Sequence, residues 1–168
     1  MRRWFLYAAV SVTALIVLVV LAGLTLPKSH RASRTRTFPA PPEAVFAVVS
    51  DFIKYPEWRR DVRAMVVDGQ GGVGTVVHED GSNGSIPFRV EVFEPPSRLV
   101  MRIADPELPF GGTWTYELRA SGTGTELTLT EDGEVSNPIF RVMQKLFFSP
   151  YETIDTFLEN LEKRLGRS

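Results

Sequence analysis

The chain of 168 residues contains no cysteine, which excludes thiol nucleophiles, disulfide bridges, thiolate-bound metal and a lipidated-cysteine anchor. Histidine is nearly as scarce: there are two, and only His78 lies beyond the amino-terminal segment. With a single imidazole, a Ser-His-acid unit or a metal site would need partners gathered by folding. A histidine on a strand surface beside Glu79 and Asp80 is the simpler reading, and neither a metal nor a cofactor is expected. Acidic residues are missing up to residue 36, where Arg2, Arg3, Lys28, Arg31, Arg34 and Arg36 make the start purely basic. The net charge of -1 therefore conceals a remainder in which 13 Lys and Arg face 20 Asp and Glu, a balance of -7. So acidic a domain repels a phosphate backbone, and it has no basic stripe interleaved with aromatics, so nucleic acid is not an expected partner.

Charge is also absent from Trp4 to Leu26, in WFLYAAVSVTALIVLVVLAGLTL. As a helix rising about 1.5 Å per residue, this run is long enough to cross a hydrocarbon core of about 30 Å. Its apolar stretch exceeds the core of a signal peptide, and LAGLTLPKS is a poor small-x-small cleavage site, so an uncleaved single-pass anchor over residues 1–26 is preferred. Trp4 and Tyr7 suit an interfacial belt. Two arginines precede the run and four basic residues follow it, a near balance that gives the soluble part no preferred side. Residues 27–36, PKSHRASRTR, read as a basic linker, either solvated or resting on anionic headgroups.

Residues 37–168 suffice for one domain. PAPPEAVFAVVSDF places prolines in a first turn and Val45, Val48, Val49 and Phe52 on one helical face. The period then changes to two through RAMVVD, GTVVHED, IPFRVEVFE, RLVMRIA, GTWTYELR and TELTLTED, and TRTFPA supplies a first strand. Asn137-Pro138 caps a final helix whose apolar stripe runs from Ile139 to Leu165, bent or interrupted by Pro150. The fold class is α+β, an antiparallel sheet covered on one face by the terminal helix.

Three local motifs compete for attention. GQGGVG, Gly69 to Gly74, matches G-x-G-x-x-G, but a strand follows where dinucleotide binding needs a helix, so it reads as a hairpin. Asn83-Gly84-Ser85 is a formal glycosylation sequon that serves more simply as a turn. DPELPFGG, residues 105–112, carries Leu108 and Phe110 between prolines and glycines, as a loop folded over an opening would.

PAPPEAVFAVVSDFIKYPEW, the strand meander containing LPFGGTWTYEL, and the helix beginning NPIFRVMQKLFF together resemble the START-like, polyketide cyclase/dehydrase and lipid-transport superfamily, often called SRPBCC. The resemblance implies a helix-grip fold, in which seven strands wrap a long C-terminal helix around a hydrophobic ligand cavity. In that fold YPEW breaks the first helix at the cavity mouth, turning Tyr55 and Trp58 inward while Arg59 and Arg60 stay in water. Strand parity lines the cavity with Phe88, Val90, Met101, Ile103, Trp114 and Tyr116, joined by Trp58, Phe110, Met143 and Phe147. Three functions then stand side by side. One is a membrane-tethered module binding a lipid, quinone or polyketide-like molecule without catalysis. Another is a cyclase or dehydratase, for which Tyr116 is the one inward proton donor. The last is an interaction domain with a collapsed cavity.

Overall fold

The computed structural model describes residues 2–81, 84–147 and 149–166; Asn83 of the sequon lies outside them. Helix α1, Arg2–Thr25, stands apart from the domain over most of its length, and Arg3–Thr25 is long and apolar enough to cross a membrane. Strand β1 is Ser29–Phe38, so most of the segment expected as a linker is sheet instead. The basic run looked like a solvated tether because its partners are distant in sequence. Arg34 meets Asp155 at 3.1 Å and stacks 3.7 Å above the ring centre of Tyr151, while Arg36 reaches Glu162 at 3.1 Å.

Helix α2, Pro42–Ser50, begins with the expected prolines and buries Val45, Phe46 and Val49. It ends at Ser50, before the YPEW that was expected to break it. A 3-10 turn, Phe52–Lys54, intervenes before the one-turn helix α3, Tyr55–Trp58, in whose first turn Pro56 sits. Tyr55 and Trp58 do turn inward, and the Tyr55 hydroxyl donates to the Val49 carbonyl at 2.6 Å, fastening α3 to the last turn of α2.

The meander follows as β2 (Val62–Asp68), β3 (Val76–Gly81), β4 (Gly84–Glu94), β5 (Arg98–Ile103), β6 (Phe110–Ser121) and β7 (Gly124–Val135). Glycines 69, 71, 72 and 74 form the β2–β3 connection, with a strand and no helix beyond them. All neighbours are antiparallel in the order β1-β7-β6-β5-β4-β3-β2, so the first and last strands close the meander side by side. Register sets Val90, Met101, Trp114, Glu131 and Ala32 in one row across five strands. Phe93, Leu99, Tyr116, Leu129 and Arg34 form the next row on that face.

The terminal helix is two helices. Asn137 caps α4, Pro138–Phe147, by accepting from the Ile139 amide at 2.9 Å, and Pro150 lies in the break before α5, Glu152–Leu165. Only α5 enters the grip, burying Ile154, Phe157, Leu158 and Leu161 against the sheet. Helix α4 swings away and packs on the end of α1. There Gly23 comes so close to the backbone of Pro138 that a Cβ would collide with it. The result is an α+β helix-grip domain with an apolar helix attached at its amino terminus.

Candidate functional site

The space between sheet and α5 is occupied by side chains. Phe157 is 1% exposed and meets three rings edge-on, with centroids 5.4 Å from Trp58, 5.4 Å from Tyr116 and 6.2 Å from Tyr55. Of the residues expected to line a cavity, Trp58, Phe88, Val90, Met101 and Tyr116 belong to this core, and Ile103 and Trp114 pack against its border. Met143 and Phe147 are corrections: at 45% and 66% exposed they lie on the outer side of α4, because that helix follows α1 and does not enter the grip.

A charged group completes the core. Arg59 is only 6% exposed, contrary to the expectation of a solvated side chain. Its two terminal nitrogens grip Glu79 at 2.6 and 2.9 Å, and one of them also donates to Asp61. The guanidinium lies 5.1 Å from the ring centre of Tyr55 and 5.4 Å from that of Phe157. Burial alone would lower its pKa, but the Glu79 and Asp61 carboxylates outweigh burial and raise it, so the group stays charged. Nε finds no hydrogen-bond partner. Burial also pushes the Tyr116 phenol well above its ordinary range, away from the value that would let it donate a proton near neutral pH.

A second polar group sits at the opposite end of the inner face. His30 Nε2 is 3.6 Å from Glu131, and its Nδ1 is 3.4 Å from the Gln144 amide of α4. Gly133, opposite His30 in register, leaves room for the imidazole, since a Cβ there would strike the ring. Burial raises the Glu131 carboxyl pKa, and His30 partly opposes that shift. Sequence reading missed this pair because His30 stood in the presumed linker. Among the described residues no three His, Asp or Glu side chains converge as metal ligands.

Open volume lies elsewhere. A cleft of about 470 Å³ opens at the strand ends, beneath the loop of residues 104–109. Ile103, Leu108, Phe110 and Val135 supply its apolar wall, while Lys28, Arg102, Asp105 and Glu134 supply charge. Ile103 and Phe110, expected at a ligand site, both line this cleft, and Asp105, Pro106 and Leu108 of DPELPFGG line it beside them. Val135 was not anticipated, and neither α4 nor α5 contributes a lining residue. A smaller depression of about 140 Å³ between α3 and α5 is lined mainly by charged side chains, among them Arg60, Lys163 and Arg164.

No curated protein matches the sequence at a significant level. Among solved structures, a START superfamily protein from Mycobacterium smegmatis is 20% identical, with 82% of this chain and 98% of that one covered at a TM-score of 0.61. A Rhizobium loti protein is 26% identical, with 82% and 97% covered at 0.65. Norcoclaurine synthase from Thalictrum flavum, solved in complex with dopamine and hydroxybenzaldehyde, is 10% identical, with 88% and 91% covered at 0.66. The family described as polyketide cyclase / dehydrase and lipid transport matches residues 29–166, from the first residue of β1 to Gly166, just after α5. A match over so much of the sequence, on a sheet and helix of this topology, means that the chain belongs to that family.

Proposed function

We propose that the chain is a membrane-anchored module that binds a hydrophobic small molecule bearing a polar end, with α1 crossing the bilayer and the strand-end cleft holding the ligand. The carrying observation is the cleft itself. Its volume of about 470 Å³ falls in the range of small-molecule sites. Its wall offers Phe110, Ile103, Leu108 and Val135 to an apolar body and its rim offers Lys28, Arg102 and Glu134 to a head group. A reading as cyclase or dehydratase draws support from the half-buried Glu131 beside His30, but neither residue lines the cleft, so acid and base would stand apart from bound substrate. Binding without catalysis therefore fits better.

The test is native mass spectrometry of the detergent-purified full chain, paired with titration of an environment-sensitive hydrophobic fluorophore. The expected result is a co-purified lipid-like compound and a fluorophore affinity that falls about tenfold in Phe110→Ala, since losing a ring contact worth about 1.4 kcal/mol has that effect. An unchanged affinity in Phe110→Ala together with no co-purified compound would defeat the proposal.

A further inference from the structure

Helix α4 is amphipathic with its faces reversed relative to the domain. Ile139, Phe140, Met143, Leu146 and Phe147 recur at i, i+1, i+4, i+7 and i+8, the spacing that normally faces a core, yet all five point outward, with Leu146 67% exposed. The inward side carries Arg141, which is buried. Its guanidinium donates to the Val135 carbonyl at 2.8 Å, the Ser136 carbonyl at 2.8 Å and, on α1, the Gly23 carbonyl at 3.2 Å. One side chain thus joins the end of the anchor, the end of β7 and the start of α4.

The outward face continues an apolar surface that α1 already presents. Leu18, Leu21 and Leu24 in the last turns of α1 are exposed, and Val19, Val20 and Gly23 are partly or fully withdrawn from solvent where α4 packs on α1. Lys28 and Lys145 are exposed nearby. An outward apolar face bounded by lysines and fixed to the end of a hydrophobic helix has the composition of a segment lying in the plane of a bilayer surface.

From this we infer that α4 is an interfacial helix: its outward face sinks into the acyl boundary of the bilayer that α1 crosses, and Arg141 locks it to the anchor so that the domain meets the membrane in one orientation. The inference rests on the reading of α1 as a membrane-spanning anchor, and it adds a second contact which that reading does not require. The partner of this face is lipid. Continuity with α1 selects it, because any protein seated on α4 would also have to meet the hydrocarbon-facing side of α1.

The experiment uses the full chain in vesicles of phosphatidylcholine and phosphatidylglycerol. Because the chain has no cysteine, single labels are available through Met143→Cys and Phe147→Cys on α4, Leu15→Cys on α1 and Glu159→Cys on α5, all at exposed positions that leave packing intact. Each variant carries a polarity-sensitive fluorophore and is exposed to lipids with a nitroxide placed near the headgroup or deep in the acyl chain. The expected result is that shallow nitroxide removes more than half of the emission at 143 and 147, deep nitroxide quenches 15 most, and neither affects 159. If 15 is quenched while 143 and 147 behave like 159, the α4 inference fails and the anchor stands. If 15 is also unquenched, the anchor reading fails and takes the inference with it. If 143 and 147 become dry but ignore both nitroxides, and do so in proportion to protein density, a second copy covers α4 and the inference is overturned.

Discussion

Replacing Phe157 by alanine separates a packed grip from an open one. The ring is 1% exposed at the centre of α5, and it meets Trp58, Tyr116 and Tyr55 edge-on at 5.4, 5.4 and 6.2 Å. Truncating a phenylalanine in a close-packed core costs about 3 to 5 kcal/mol through lost transfer energy and the cavity left behind. Edge-on ring pairs each add about 0.5 to 1.5 kcal/mol beyond burial, so Phe157→Ala belongs at the upper end, about 4 to 5 kcal/mol. For a domain of this size that corresponds to a fall in Tm on the order of 10 to 20 °C. The assay is urea unfolding of the full chain in mild detergent, following tryptophan emission, with the slope against urea unchanged so that the midpoint reports stability. A cost below about 1 kcal/mol would refute the reasoning. The ring would then border empty space, and the ligand site would return to the gap between sheet and α5.

Two further outcomes follow from the charged groups. Glu79→Gln weakens the two-pronged grip on buried Arg59 and is expected to cost about 2 to 4 kcal/mol in the same urea assay, whereas Arg60→Gln, at an exposed neighbour, should stay within about 0.5 kcal/mol; equal effects would refute the assignment. Glu131 has a folded pKa raised above its ordinary 4.5, chiefly by burial, so the folded protein holds that proton more tightly than the unfolded one. Its contribution to stability is therefore full below pH 4.5 and is lost as pH rises through the folded value. Glu131→Gln should match the parent in acid and gain on it toward neutral pH, and a difference that does not change with pH would contradict this.

Strand parity made much of the sheet legible. Phe88, Val90, Met101 and Tyr116 are all on the inner face, because a period of two leaves no freedom once one residue of a strand is fixed. The helical stripe was less informative. A spacing of three and four identifies an apolar face but not what covers it, so Met143 and Phe147 read the same as Ile154 and Leu158 although they point to opposite environments. Arg59 was hidden for a related reason. Beside Arg60 it looked solvated, and the Glu79 that makes its burial tolerable lies 20 residues further on. His30 and the arginines of β1 were hidden by far larger separations, since Glu131, Asp155 and Glu162 come from the far end of the chain.

Treating residues 27–36 as a linker also concealed how closely the domain and α1 are joined. Helix α1 ends at Thr25 and β1 begins at Ser29. Four residue steps extend to at most about 14 Å, so the domain cannot drift from the end of α1. The tether is shorter still in effect, because the Lys28 carbonyl accepts from the Val135 amide at 2.7 Å, and both residues line the cleft. Val135 and Ser136, which also line it, give their carbonyls to Arg141, and Arg141 holds Gly23. The cleft, α4 and the end of α1 therefore form one connected corner of the molecule. If α1 crosses a bilayer, the cleft is held close to its surface, which favours a molecule that partitions into the membrane over one that diffuses freely. Arg141→Ala frees the Val135 and Ser136 carbonyls at the cleft as well as the Gly23 carbonyl of α1, so affinity in detergent is expected to fall somewhat and ligand exchange with vesicles to slow by a larger factor; equal factors would refute a role for the α1–α4 joint.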